Sequence, residues 1–196
     1  NNAATNLIDG GAYQLHDDGR LWKSTGTACS GDSCPGWQML DNNPRTRTPV
    51  VADGDDNTLW QLHAPRLYQL HEDGAIWQSD GRRCSDGDSE RCRGWQRLDD
   101  NPKTQAIAAS GGRLFQLHDD GEIWRSTGQP CVRERCPGWQ RIDRNARTIA
   151  IASGGGQLYQ LHEDGKIWRF TGQACTGNRC AGWVMLDQNS ATVEIV

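Results

Sequence analysis

Three polar residue types recur at fixed places and set the first question about chemistry: Gln14, Gln69, Gln116 and Gln160; His16, His71, His118 and His162; Asp41, Asp99, Asp143 and Asp187. A histidine near a carboxylate does general acid–base work when a nucleophile or activated water completes an asymmetric group. An active site gathers such different residues once. Here each member is present four times. Fourfold recurrence points to scaffold or to four equivalent binding sites, so the chain is expected to be non-enzymatic and to need no cofactor. Each His directly precedes an Asp-Asp-Gly or Glu-Asp-Gly turn, where it can hydrogen-bond backbone at a hairpin end. Each Gln, two residues earlier, shares its strand face and can satisfy backbone between sheets.

A second repeated element is D-x-N-x-x-T: Asp41, Asn43 and Thr46; Asp99, Asn101 and Thr104; Asp143, Asn145 and Thr148; Asp187, Asn189 and Thr192. Its structural reading is a turn, because Asn and Asp side chains bond their own nearby backbone. Its functional reading is a polar rim beside an aromatic strand, with amides for sugar hydroxyls and an indole face for the C–H side of a sugar ring. On that reading the ligand-binding positions are Trp37 and Asn43, Trp95 and Asn101, Trp139 and Asn145, and Trp183 and Asn189. Shallow sites of this kind bind weakly one at a time and gain strength by avidity on a dense glycan surface.

Two local features break the symmetry. The run DGDDN, Asp53 to Asn57, spaces oxygen ligands as some calcium loops do but lacks the rest of an EF-hand pattern. It is expected to be an acidic turn, and no metal site is assigned. Arg82, Arg83, Arg91, Arg93 and Arg97 crowd a second region, with Arg133 and Arg135 in the equivalent loop of the next repeat. Those guanidinium groups suit a sulfated or sialylated glycan, whereas the interspersed Asp86, Asp88 and Glu90 suit a plain charged surface.

The eight cysteines fall as one close pair per repeat: Cys29 and Cys34, Cys84 and Cys92, Cys131 and Cys136, Cys175 and Cys180. No C-x2-C knuckle with a second ligand pair is present and no His sits beside these pairs at zinc spacing, so four local disulfides are expected. A bridge closing so short a loop removes only about 2 kcal/mol of chain entropy, so it pins a surface loop more than it holds a fold. Disulfides imply an oxidising setting, and the expectation is a secreted, mature chain whose opening NNAATNLIDGG carries no leader. A net charge of −4 gives no global reason to bind nucleic acid or anionic membrane. The apolar runs are far shorter than the roughly 20 residues of a spanning helix, so membrane insertion is not expected.

These residues must be positioned by a repeated unit. The stretch LYQLHEDGKIWRFTGQACTGNRCAGWVMLDQN, from Leu158, has earlier relatives starting at Ala12, Leu67 and Leu114. Each copy holds short segments rich in Ile, Leu, Tyr and Trp, bounded by Gly, Asp and Asn, which predict four antiparallel strands with Asp-Gly hairpin turns. The fold expected is all-β: a single β-propeller over residues 1–196, with four blades of four antiparallel strands and one local disulfide per blade. The blades span about 4–47, 48–103, 104–147 and 148–190, and 191–196 is a closing or spare strand. Small residues in the first strands (Ala106, Ala108, Ala109, Ala150, Ala152) suit a crowded axis. Trp22, Trp77, Trp124 and Trp168 in the third strands and the four fourth-strand Trp residues are expected to be mainly inter-blade core. In blade two the motif runs twice, as TLWQLHAPRLYQLH over residues 58–71, which marks a local duplication.

In the run Gly165 to Trp168, the run Trp183 to Leu186 and the Ala/Gly-rich IAIASGGG segment, the chain resembles the tectonin and tachylectin-like propeller repeats. The resemblance covers nearly the whole chain through short motifs and implies a propeller. Many members of that group are lectins, which implies glycan binding. The chain departs from them in its cysteine pair per blade and its four-blade count. The function expected is a secreted, multivalent, carbohydrate-binding protein whose partners are glycans or glycoconjugates. The alternative is an assembly or protein-interaction module in which residues 191–196 pair between chains.

Overall fold

The alternating, Gly-punctuated segments do form strands. A computed structural model describes residues 4–8, 11–30, 33–46, 51–53, 66–80 and 94–195. Within them lie sixteen strands and no helix. The first sheet holds β1 (Ala4–Ile8), β2 (Gly11–Leu15), β3 (Leu21–Ser24) and β4 (Trp37–Asp41). The second holds β5 (Val51–Asp53), β6 (Arg66–Leu70), β7 (Ile76–Ser79) and β8 (Trp95–Asp99). The third holds β9 (Thr104–Ser110), β10 (Arg113–His118), β11 (Glu122–Ser126) and β12 (Trp139–Arg144). The fourth holds β13 (Thr148–Gly154), β14 (Gln157–His162), β15 (Ile167–Phe170) and β16 (Trp183–Asp187). Each is a four-stranded antiparallel meander in chain order.

Consecutive sheets pack face to face through a repeated junction. Tyr13, Leu21 and Leu40 of the first meet Leu67 and Trp95 of the second. Tyr68, Leu70, Ile76 and Leu98 of the second meet Ile107, Ala109, Leu114 and Trp139 of the third. Phe115, Leu117, Ile123 and Ile142 of the third meet Leu158, Phe170 and Trp183 of the fourth. The first strands β5, β9 and β13 lie side by side, and their alanines permit the approach: Ala108 and Ala109 are buried, and Ser153 Oγ donates to the Ala109 carbonyl at 3.0 Å.

A β-bulge recurs in every fourth strand. Pairing jumps from Leu21↔Asp41 to Trp22↔Met39, and likewise in the other three sheets, leaving Leu40, Leu98, Ile142 and Leu186 as the extra residue. The bulge bends the strand. Leu40, Leu98 and Ile142 are thereby buried at the junction together with the neighbouring Asp41, Asp99 and Asp143.

Two expectations need correction. The first and last sheets do not close on one another. Residues 191–195 form no strand, so the fifth copy of the first-strand motif completes no sheet of this chain. Three of the four disulfides are present, Cys29–Cys34, Cys131–Cys136 and Cys175–Cys180, which fits an oxidising or extracellular environment. The Cys84 and Cys92 pair, the DGDDN run beyond Asp53 and most of the 58–71 duplication lie outside the described residues.

The bridged loops do more than pin themselves. Cys131 N donates to the Arg97 carbonyl at 3.1 Å, and Arg97 Nη2 donates back to the Arg133 carbonyl at 2.7 Å. One junction later Cys175 N donates to Arg141 O and Arg141 Nη2 to Gly177 O. The Cys131–Cys136 and Cys175–Cys180 loops thus clasp the fourth strand of the preceding sheet.

Candidate functional site

The connection between sheets builds a buried polar network. Thr46 Oγ1 donates to Gln69 Oε1 at 3.1 Å, and Gln69 Nε2 donates to Asp41 Oδ2 at 3.0 Å. Gln116 and Gln160 accept from Thr104 and Thr148, each at 2.8 Å, and bond Asp99 and Asp143. The glutamines therefore satisfy side chains of the incoming connection, rather than the backbone between sheets that the sequence reading assigned them. In the first sheet Gln14 instead contacts its own His16 at 3.3 Å.

The histidines also do more than close hairpins. Their backbone amides and carbonyls make the turn bonds, as His16, His71 and His162 do with residues four ahead. The rings stack on the third-strand indoles: His16 on Trp22, His71 on Trp77, His118 on Trp124 and His162 on Trp168, with centroids 5.7–5.9 Å apart. Those four Trp residues are thus partners of histidine at one end of each sheet and do not belong to the inter-sheet clusters. The fourth-strand Trp residues do: Trp95, Trp139 and Trp183 donate Nε1 to the carbonyls of Leu40, Leu98 and Ile142 at 3.2, 3.0 and 3.1 Å.

The candidate binding residues separate accordingly. Asn43 and Trp95 come together across the first junction, where they line one cleft with Asp41, Arg45, Gln69, His71, Asp73, Ala75, Trp77, Arg97 and Asp100. The pairing is between repeats, Asn of one with Trp of the next. Asn101 and Asn145 are committed to histidine, their Nδ2 lying 3.5 Å and 3.3 Å from His118 Nε2 and His162 Nε2. Trp37 lies half-buried on the first sheet, and Asn189 is exposed past the end of β16.

The first cleft lies in the repeat that carries alanine after its Asp-Gly turn. After the Asp-Gly turn the four repeats carry Arg20, Ala75, Glu122 and Lys166. In the third sheet Glu122 holds Arg141 at 3.0 Å, and Arg141 lies over the Trp124 ring, filling the space. In the fourth, Lys166 bonds Asp164, which also pairs with Arg147. Ala75 offers no such group, and Arg97 Nη1 pairs with Asp100 instead, while its Nη2 keeps the loop-carbonyl bond that Arg141 also makes. What remains is a cleft of about 430 Å³, within the usual range for small-ligand sites. It offers guanidinium and amide donors, carboxylate acceptors and two indoles. His71 Nε2 is enclosed with no hydrogen-bond partner among the described residues, and so is Trp77 Nε1, as are the Nε1 atoms of Trp22, Trp124 and Trp168 in the other sheets. The comparison of positions 20, 75, 122 and 166 was available in the sequence and would have singled out this junction.

Clustered acids elsewhere are already used. His118, Asp120 and Glu122 lie close enough to hold an ion, but Asp120 pairs with Lys103 at 2.8 Å and Glu122 with Arg141. Cys136, beside Asp99 and Asp100, is in a disulfide.

Burial tunes the network. It lowers His71, His118 and His162 below the usual 6.5, against the opposing pull of nearby carboxylates. It also raises Asp41, Asp99 and Asp143 above the usual 3.8, against the opposing glutamine bonds. A histidine with a depressed folded pKa gives stability that is complete above the unfolded value and lost as pH falls through it, since the unfolded chain takes up the proton first. An aspartate with a raised folded pKa acts the other way and favours the fold as pH falls towards 3.8. Thermal melts should therefore show stability declining as pH drops below 6.5, with the decline relieved at lower pH. Replacing His118 and His162 with Gln should flatten the decline. An unchanged slope in that variant would contradict the assignment.

No family model matches the chain, and no curated protein matches it. Solved structures do. The crystal structure of human WBSCR16 superposes with a TM-score of 0.54 at 13% identity, over 85% of this chain and 46% of that one. The crystal structure of Kap60 bound to yeast RCC1 (Prp20) superposes with a TM-score of 0.54 at 10% identity, over 85% of this chain and 43% of that one. The chain spans less than half the length of either. At such identities the likeness concerns the fold alone: an all-β chain of antiparallel sheets with propeller-like neighbours.

Proposed function

We propose that this chain is a secreted, non-enzymatic, carbohydrate-binding protein of β-propeller type, and that its principal saccharide site is the cleft between the first and second sheets. The observation that carries the reading is the Ala75 cleft, in which Trp77 and Trp95 stand beside Asn43, Arg45, Arg97, Asp73 and Asp100. A sugar ring presents hydroxyls that both donate and accept around its edge and C–H groups on its faces. Closely spaced amide, guanidinium and carboxylate groups answer the first, and indole surfaces answer the second. The arginines favour saccharides carrying sulfate or carboxylate, because a guanidinium fork binds such groups bidentately. The resemblance to lectin-type repeats points the same way.

The variant Ala75→Glu tests the site. It gives Arg97 the partner that Glu122 gives Arg141, and it fills the cleft with a side chain the fold already accepts at that position. Titration of intrinsic Trp fluorescence with neutral, sulfated and sialylated oligosaccharides should give saturable binding in the native chain. Ala75→Glu should weaken it by about tenfold or more, as expected when about 1.4 kcal/mol of contact is lost. Absence of saturable binding to every saccharide class at millimolar concentration would defeat the proposal. Equal affinity in the variant would move the site elsewhere.

A further inference from the structure

The two ends of the row of sheets carry the two halves of the junction that the chain makes three times within itself. At each internal junction the leading sheet supplies a bulged Leu or Ile, its carbonyl and the following Asp. The trailing sheet supplies a Trp that donates to that carbonyl and a Gln that bonds that Asp. Leu40, Leu98 and Ile142 are 4%, 2% and 0% exposed in those places. Their counterpart in the last sheet, Leu186, is 51% exposed, and Val184 and Met185 beside it are open as well. Asp187 is exposed too, whereas Asp41, Asp99 and Asp143 are buried. The first sheet has the converse set. Trp37 has no acceptor among the described residues for the indole N–H that its three counterparts give away, and Gln14 has no Asp or Thr and contacts His16 instead.

We infer that the exposed face of the fourth sheet receives the first sheet of a second copy of this chain, repeating the internal junction between molecules. Trp37 of one copy then donates to the Leu186 carbonyl of the other, Leu186 enters the junction, and Gln14 meets Asp187. Among the described residues, the surfaces that fit this Leu, carbonyl and Asp arrangement are the chain's own trailing faces, and one of these is left over. The contact is head to tail, with different surfaces on the two copies, so it extends or closes a ring without a two-fold patch. It differs from pairing of residues 191–196 because it buries side-chain faces instead of adding a strand. It does not depend on saccharide binding.

Sedimentation velocity of the native chain from nanomolar to high micromolar concentration should show reversible self-association. Leu186→Arg puts a charge on one half and Trp37→Arg on the other; each should weaken association by about 30-fold or more, the loss expected at a central interface residue. Both positions are solvent-accessible in the single chain, so folding is retained and circular dichroism checks it. Mixing the two variants should restore a heterodimer, since one intact half remains on each. Removing residues 191–196 should leave association in place. A native chain that stays monomeric throughout the range overturns the inference, as does failure of the mixture to associate or loss of association on removing 191–196 alone.

Discussion

Gly121→Ala is expected to lower stability by about 3 kcal/mol, enough to bring the melting temperature down by roughly 6–12 °C in a chain of this size. The residue closes the hairpin between β10 and β11 with φ of +79°, a region that L side chains enter at a cost of about 1–2 kcal/mol. Space is the larger difficulty. A methyl group at Gly121 would overlap the Asn145 carbonyl oxygen and lie 2.8 Å from Ala146 Cα, both backbone atoms of the connection to the next sheet. Neither can swing away as a side-chain tip would. The glycines at 19, 74 and 165 meet the corresponding backbone of their own connections, so the hairpin is seated on the turn in all four sheets. Gly128 separates the two contributions, because it has a similar φ of +81° and nothing within 4 Å of an added methyl. Chemical denaturation should show Gly128→Ala costing only the backbone part, about 1–2 kcal/mol. Equal losses in the two variants would mean that the hairpin and the turn are not in contact.

Gln116→Leu is expected to cost about 2–4 kcal/mol, the range for stranding a buried polar partner. The side chain is fully enclosed, accepts from Thr104 Oγ1 at 2.8 Å and bonds the carboxylate of Asp99. Leucine has nearly the same volume, so the loss is one of hydrogen bonds and not of packing. Asp99 is already raised by burial, and removing the bond that opposes this raises it further. A raised carboxyl is unfavourable to the fold as pH rises, so the gap between native chain and variant should be wider at neutral pH than near pH 4. Adding Asp99→Leu should recover part of the loss by removing the stranded charge. Unfolding curves at the two pH values test both points; a pH-independent gap would remove Asp99 from the account.

The repeat made the strands legible because alternating apolar residues between Asp-Gly and Asn turns leave few other conformations, and all sixteen segments pair as meanders. The close cysteine pairs were equally plain in Cys29–Cys34, Cys131–Cys136 and Cys175–Cys180. Closure was not legible. It depends on the small rotation between one sheet and the next, accumulated over several junctions, and each junction here looks locally like its neighbours. Side-chain partners were misplaced for a related reason. Which Trp each Asn meets could not be read from chain order, because the fold brings Asn43 to the Trp95 of the following repeat. Similarly, Gln69 reaches back 28 residues to Asp41. The cleft was not legible because the copies agree at most of the positions that line it, whereas Ala75 is a position where they differ.

The most direct test of the saccharide reading is the set of indole N–H resonances in a proton–nitrogen correlation spectrum, recorded as an oligosaccharide that binds is titrated in. The account predicts that Trp77 and Trp95 shift with saturation while Trp124, Trp139, Trp168 and Trp183 stay in place, because the cleft is lined by the first two of these indoles and by none of the others. Matching shifts in the fourth-strand indoles of all four sheets, or shifts confined to indoles outside the first junction, would contradict it.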